Sequence, residues 1–179
     1  MRKATDVDDT SPELLSILQA HKKELVLPSF NHEIAWELGT LLRARFIKEK
    51  VPSGHSAAIQ IRAFPEGHLK HASILFATTV GSVPPGIGSL VAGKANVVKW
   101  SGTSTYLTRT RFKSAGIDLA EFGLTSPEYF MHGGGFPVRL ANHPTPVAVI
   151  VVSGMPSQAE DHQLIVDTLV EYLPSLQKV

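Results

Sequence analysis

Two short stretches of the chain combine side chains and backbone features that could do chemistry. One is the run His132, Gly133, Gly134 and Gly135, and the other is the pair Asp161 and His162. Each glycine costs about 0.5–1 kcal/mol relative to alanine in regular structure, so three in succession indicate positive φ or a close backbone approach. Histidine and aspartate can act together in acid–base catalysis. His132 with Asp161 is therefore one hypothesis for an acid–base pair, although the sequence does not give their separation.

Both stretches also have purely structural explanations. Ser126-Pro127-Glu128 predicts a short helical turn that ends at His132, where a protonated histidine stabilises the helix end. Asp161 falls in the first turn of a predicted helix, where its carboxylate is favourable by about 0.3–1 kcal/mol. The free amides at the start of that helix would also suit an anionic ligand. The structural and the functional interpretations both stay open.

Lys94 is a third candidate. It lies on a helix predicted from Leu90 to about Trp100 with Ser89 as its cap, and Val98 shares its face. The lysine either contacts a ligand by reaching over the sheet edge or is a solvated side chain on an exposed helix face.

Three more specific chemistries find little support. The His-Gly-Gly-Gly run matches the oxyanion-hole motif of some lipases and esterases, but Ser153 lacks the Gly-x-Ser-x-Gly flanks that such enzymes need. His68 and His71 lie three apart on a predicted strand and would point to opposite faces, so they cannot chelate one metal ion. Gly86-Ile87-Gly88 lacks the third glycine of a dinucleotide fingerprint. No metal site is predicted, and no catalytic residue is assigned.

Composition narrows the class of protein. The 179 residues are 43% hydrophobic and 18% charged, which is typical of one globular domain. There is no cysteine, and the net charge is +1 without a basic run, so nucleic acid is not an expected partner. The polar N-terminus and the absence of about 18 successive apolar residues predict no membrane insertion and a cytoplasmic location.

The elements that must position the candidate residues follow from periodicity, caps and breakers. They are helices at 11–23, 31–49, 90–100, 103–112 and 157–172, and strands at 57–63, 69–76, 136–140 and 147–152. The first two strands form a hairpin around Pro65-Glu66-Gly67, and Pro174 ends the last helix. Residues 147–152 are apolar on both faces, which predicts a central strand. Ser157 and Glu160 have the spacing of a capping box.

Three motifs in fixed order carry a resemblance to a known family. They are the run from His132 to Arg139, the run from Val151 to Pro156, and Glu160-Asp161-His162. Together they resemble the GlcG/HbpS-like family, called the haem-degrading domain, and most of all its small single-domain branch of unassigned function in bacteria and fungi. The similarity extends back through Lys94 to the helix holding Trp36, and covers about residues 25–173.

The resemblance implies an α/β (α+β), profilin-like fold, with a central antiparallel sheet of about five strands and helices on both faces. It implies an N-terminal extension and helix over residues 1–24 and a single GlcG-like domain over 25–179. Homo-oligomers, either dimers or larger rings, are expected. Relatives are associated with haem, corrinoids or other small ligands, so haem is the candidate cofactor.

Two functions are compatible with this resemblance. In the first, the chain binds a small ligand, either a tetrapyrrole or a small anion, near the glycine turn. The residues expected at that site are Lys94, His132, Gly133, Gly134, Gly135, Asp161 and His162. In the second, the chain is a non-enzymatic oligomeric adaptor, linked in a fungal relative to the delivery of tail-anchored proteins. Neither function specifies a reaction.

One departure from the branch bears on the site. Its members usually carry a tryptophan and an arginine shortly before the lysine that matches Lys94. This chain has Leu90 and Gly93 at those positions. If the usual residues contact a ligand, the site is altered here.

Overall fold

The computed structural model describes residues 1–64 and 73–176, and these hold five α-helices and four β-strands. The helices are α1 (Glu13–Glu24), α2 (His32–Glu49), α3 (Ile87–Ser101), α4 (Thr105–Ala115) and α5 (Gln158–Leu176). The strands are β1 (Ala57–Ala63), β2 (Ser73–Val80), β3 (Gly135–Val138) and β4 (Ala148–Ser153). The predicted turn at 65–67, His68 and His71 lie outside the described residues.

The strands form one antiparallel sheet in the order β2-β1-β4-β3. The predicted antiparallel pairing of β1 with β2 is confirmed, although β2 continues to Val80 instead of ending at Phe76. Strand β4 lies centrally with all six residues buried. The described sheet has four strands rather than about five. The nearest candidate for a fifth is Leu27, which makes only an isolated parallel bridge to Leu140. Pro28 follows it and has no amide hydrogen to extend the ladder.

Helices cover both faces of the sheet, as predicted. On one face α2 and α5 pack on side chains such as Ile59, Ile150 and Val152. On the other face α3 packs through Val91 and Val98. Both faces are supplied with apolar side chains because successive residues of an extended strand point to opposite faces of the sheet. The architecture is therefore the predicted α/β (α+β), profilin-like one.

The N-terminal extension forms a third apolar cluster at one side of this core. Leu14 and Leu18 of α1 pack against Tyr106 and Leu107 of α4. Ala4, in a short 3₁₀ turn before α1, is fully buried in the same cluster and donates its amide hydrogen to Gln163 Oε1 at 2.8 Å. The extension is thus tied to α4 and α5.

Helix ends agree with the sequence where a side chain caps them. Asn31 Oδ1 accepts the amide of Ile34 at the predicted start of α2, and Ser104 Oγ accepts that of Leu107 one residue after the predicted start of α4. The start of α3 differs, because it begins at Ile87 after Gly86 rather than after Ser89.

The ends of α5 also differ from expectation. Ser157 Oγ accepts the amide of Ala159, but Glu160 pairs with Lys50 instead of completing the capping box. Pro174 lies inside the helix rather than ending it. The carbonyl that loses a partner there belongs to Val170, which is exposed and lies one turn from the end, so water can replace the missing donor.

Gly39 of α2 lies against the sheet so closely that a Cβ there would meet the Phe76 ring at 2.3 Å. We expect Gly39→Ala to lower the free energy of unfolding by about 1–3 kcal/mol, because the gain in helix propensity is smaller than the cost of overpacking. Urea unfolding followed by circular dichroism measures it. Gly88→Ala in α3, where nothing lies within 4 Å, is the matched control and should be neutral or stabilising. Equal stability of the two variants would contradict this packing.

Candidate functional site

A buried ion pair joins Lys94 to Asp161. Lys94 Nζ lies 2.9 Å from Asp161 Oδ2 and 3.0 Å from the carbonyl oxygen of Val152, and donates to both. The two charged residues are only 1% and 3% exposed. Lys94 is therefore not a solvated side chain on a helix face, and that explanation is wrong.

The pair crosses from one face of the sheet to the other at the glycine turn. Lys94 belongs to α3 and Asp161 to α5, and the start of β3 lies between them. Gly134 has φ +110°, and a Cβ there would lie 2.2 Å from the carbonyl oxygen of Val152 and 2.9 Å from Lys94 Nζ. Any side chain at this position would displace the lysine or the strand. This explains why the turn needs glycine here.

The neighbouring glycines are held by residues that the sequence did not single out. The amide of Gly133 donates to Gln158 Oε1 at 3.2 Å, and that of Gly135 donates to Thr105 Oγ1 at 3.0 Å. Helices α4 and α5 thus fix the turn from two sides. Thr105 follows the cap Ser104 and Gln158 follows the cap Ser157, but a capping signal does not indicate that the next side chain reaches a distant turn.

Asp161 is anchored by more than the lysine. Its Oδ1 accepts the amide of Met155 at 3.2 Å, and the amide of Gly154 also donates to the carboxylate. Burial raises the pKa of Asp161, while Lys94 and the two amides act in the opposite direction. Burial likewise lowers the pKa of Lys94, against the attraction of the carboxylate.

A cavity of 320 Å³ opens beside this ion pair. Ile87, Leu90 and Phe130 give it an apolar side, and Lys94 and Asp161 lie in its wall. Further lining comes from the segment after β4 and from neighbouring loops: Ser56, Pro84, Ser153, Gly154, Met155, Pro156 and Gln158. The cavity is therefore formed where the glycine turn, α3 and the start of α5 meet.

His132 lies at the mouth of this cavity. Its exposed ring stacks on Phe130 with 4.4 Å between centroids, and it also lines two neighbouring depressions of 950 and 340 Å³. Partial burial, followed by the positive charges of Arg109 and Lys94, lowers its pKa. The ring is therefore mainly neutral near pH 7 and able to donate, accept or coordinate.

Two sequence interpretations of His132 need correction. The segment at 126–128 is a turn with a cis Ser126–Pro127 peptide bond rather than a helix, so His132 is not at a helix end. The proposed acid–base contact with Asp161 is also absent from the hydrogen bonds of the described residues. Lys94 and the backbone amides engage that carboxylate instead.

His162 lies apart from the cavity. It is fully buried, and its Nε2 is 3.0 Å from His21 Nδ1. His21 Nε2 is 2.8 Å from the carbonyl oxygen of Arg2, which only accepts, so this nitrogen carries the hydrogen. His162 Nε2 must then donate to His21, and its Nδ1 has no hydrogen-bond partner in the described structure. The Glu-Asp-His motif of the resemblance suggested His162 as a site residue, but its side chain contacts His21 and does not line the cavity.

Of the two positions that the resemblance singled out, Leu90 lines the cavity and Gly93 packs against the turn that carries Phe130. Leu90 contributes to the apolar wall. Gly93 faces the turn at 127–130, where a Cβ would lie 2.8 Å from Phe130 Cβ and 2.9 Å from the carbonyl oxygen of Pro127. A larger side chain at Gly93 would displace this turn, so the glycine and the turn conformation belong together.

Two features are absent from residues 1–64 and 73–176. Neither a group of three or more histidine, aspartate or glutamate side chains placed for a metal ion nor a helix able to span a membrane is found there.

The family of the chain follows from comparison with known proteins. The family model described as "Haem degrading protein HbpS-like" matches residues 30–169, which include every candidate site residue. The chain belongs to the HbpS-like family.

Curated relatives match nearly the whole chain. A UPF0303 protein of Burkholderia mallei (strain NCTC 10229) is 34% identical over 160 residues, covering 89% of each chain. A UPF0303 protein of Streptomyces avermitilis is 32% identical over 163 residues, covering 90% of this chain and 92% of the relative. These matches reach beyond the segment that the family model covers.

Solved structures share the fold. The crystal structure of the Ybr137w protein superposes with a TM-score of 0.79 at 23% identity, covering 93% of this chain and 91% of that one. The crystal structure of HbpS gives a TM-score of 0.56 at 18% identity, covering 84% and 95%. At these identities the likeness shows the architecture alone.

The ion pair makes a prediction about coupled stability. Asp161→Asn keeps an oxygen acceptor for the Met155 amide but leaves Lys94 buried without a counter-charge, so we expect a loss of about 3–5 kcal/mol in unfolding free energy. Lys94→Met combined with Asp161→Asn should lose less than the sum of the single variants. Urea unfolding of all three measures the coupling. Glu160→Gln, which breaks the more exposed pair with Lys50, is the control and should cost about 1 kcal/mol or less. Additive losses would contradict the pairing.

The buried histidines predict a pH dependence. Burial lowers the pKa of both His21 and His162, so the unfolded chain binds more protons than the folded one below its own pKa of about 6.5. Stability should be complete above that pH and fall as the pH drops below it, by at most about 1.4 kcal/mol per pH unit for each histidine.

His162→Gln should reduce this dependence, whereas His32→Gln on the exposed start of α2 should preserve it. Urea unfolding at pH 8 and pH 5.5 compares the three proteins. If the unfolding free energy of His162→Gln falls between pH 8 and pH 5.5 as steeply as that of the wild type, His162 does not contribute to the pH dependence.

Proposed function

We propose that the chain binds a small ligand that places a carboxylate or another acceptor oxygen beside Lys94 and Asp161, with His132 at the entrance. The observation that carries this proposal is a buried ion pair in the wall of an open cavity. A concave site with one apolar side, a few convergent polar groups and shifted pKa values is the usual form of a small-molecule site.

The dimensions of the cavity limit the ligand. Its 320 Å³ is near the lower end of the range for small-molecule pockets, about 300–1,000 Å³. Either the ligand is compact or only one end of it enters. Lys94 has three N–H donors, and the hydrogen bonds to Val152 and Asp161 use two of them. The third is available for an acceptor oxygen of the ligand.

A tetrapyrrole combines the features that this site would recognise. It has a flat apolar ring and carboxylate side chains, and its iron form takes a neutral histidine as axial ligand. His132 lies where three depressions meet, so a ring bound there would extend beyond the cavity while a carboxylate enters it. The family description as haem-degrading supports haem as the first ligand to test.

Titration with haemin and with metal-free protoporphyrin IX tests the proposal. We expect wild-type protein to bind both, with a Soret shift for haemin that His132→Ala removes and His32→Ala retains. Lys94→Met should weaken both ligands at least tenfold, because it removes the cation that faces their carboxylates. Thermal unfolding confirms that each variant is folded. If the wild-type protein binds neither ligand more tightly than Lys94→Met does, tetrapyrrole recognition at this site is overturned.

Oligomeric adaptor function is the second candidate, and an exposed apolar edge favours it. Strand β2 ends the sheet, and Trp36 and Ile74 are 64% and 56% exposed beside it. Large exposed apolar side chains beside an edge strand suit a protein interface, here a homo-oligomer. Light scattering of the same samples distinguishes the candidates. Loss of assembly in His132→Ala without any change in ligand binding would favour the adaptor.

A further inference from the structure

We infer that Lys94 is a carbonyl-reactive amine, which forms an imine with a small aldehyde or 2-oxo acid in the 320 Å³ cavity. The inference rests on the proposed binding function and adds a covalent step to it. Its basis is geometric: Lys94 and Asp161 both line the cavity, and Asp161 Oδ2 is 2.9 Å from Lys94 Nζ as a fixed proton acceptor.

The first requirement is a neutral amine, because the ammonium form has no free electron pair. Asp161 is hydrogen bonded to Nζ and can take one proton from it without any movement of either chain segment. Burial favours that transfer, since it lowers the pKa of Lys94 and raises that of Asp161. A buried lysine beside a carboxylate is thus activated in the way that amine nucleophiles require.

The second requirement is a balanced reaction. The Nζ electron pair attacks the carbonyl carbon to form a C–N bond, and one proton then moves from that nitrogen to the carbonyl oxygen, which becomes the hydroxyl of a carbinolamine. Protonated Asp161 then gives its proton to that hydroxyl, which leaves as water while the nitrogen lone pair forms the C=N bond. The net change converts ammonium and carbonyl into iminium and water. No oxidant or reductant is consumed.

The product suits the site as well as the reactant does. The iminium nitrogen still carries one positive charge and one hydrogen, so it keeps its ion pair with Asp161. No charge is left unpaired in the buried wall, which would cost several kcal/mol. Phe130 and Leu90 form the apolar side of the cavity in which the imine would lie.

Lys94 also differs from the other lysines of the described chain. Among the lysines of the described residues, Lys94 is the buried one, whereas Lys113 on α4 is exposed. Reaction at Lys94 would therefore select ligands that enter the cavity, while reaction at surface lysines would be unselective.

Reductive trapping tests the inference. The full chain is incubated with pyruvate or with acetaldehyde in the presence of cyanoborohydride, and adducts are quantified by intact mass and peptide mapping. We expect one adduct per chain, at Lys94, formed at least tenfold faster than at Lys113. Lys94→Arg should abolish it, Lys113→Arg should leave it unchanged, and Asp161→Asn should slow it at least tenfold. Even if the variants unfold, mapping of the wild type decides the position.

Labelling at Lys94 no faster than at Lys113 would overturn the inference. The tetrapyrrole titration separates this failure from that of the proposed function. If haemin and protoporphyrin IX bind in a Lys94-dependent way but no adduct forms, the binding function stands and the imine is excluded. If the tetrapyrroles do not bind but the adduct forms at Lys94, the ligand is a small carbonyl compound rather than a tetrapyrrole. If neither result is obtained, both are overturned.

Discussion

One buried ion pair constrains the whole region that we propose as the site. Lys94 on one face of the sheet reaches Asp161 on the helix that packs against the other face, at the point where β3 begins. The path is open only because Gly134 has no side chain. Two charges removed from water are tolerated when each has its partner and further hydrogen bonds, and here Val152 and the Met155 amide supply them.

The hydrogen bonds of the turn extend this constraint to the N-terminal extension. Gln158 accepts from the Gly133 amide and donates to Asp9, and Asp9 also accepts from Tyr106. Asp9, which precedes the matched family segment, is therefore linked to this turn through Gln158. A second contact attaches the extension to α5, because buried His21 pairs with His162 through one ring nitrogen and with the Arg2 carbonyl oxygen through the other.

Much of the secondary structure was predictable because its causes are local. Alternation of apolar residues indicates a strand and a capping side chain indicates a helix start, and both are read within a few residues. Asn31 and Ser104 cap the helices that were expected. Local signals failed at Pro127, where a helix opening was expected and a cis turn is found, and at Pro174, which α5 includes. A proline is compatible with either outcome in each place: a helix start or a cis turn at Pro127, and a helix end or a position inside the helix at Pro174. The surrounding packing selects between them.

The sequence by itself determined the central position of β4 and the importance of the glycine run, since apolar period and glycine's backbone freedom are properties of the chain. The fold class followed from the resemblance of its motifs to a known family. Only the tertiary structure decided which charged groups meet. Lys94 and Asp161 are 67 residues apart, and nothing in their local sequence indicates that they pair. Conversely, His162 adjoins Asp161 in sequence but faces His21, because successive residues on a helix point about 100° apart.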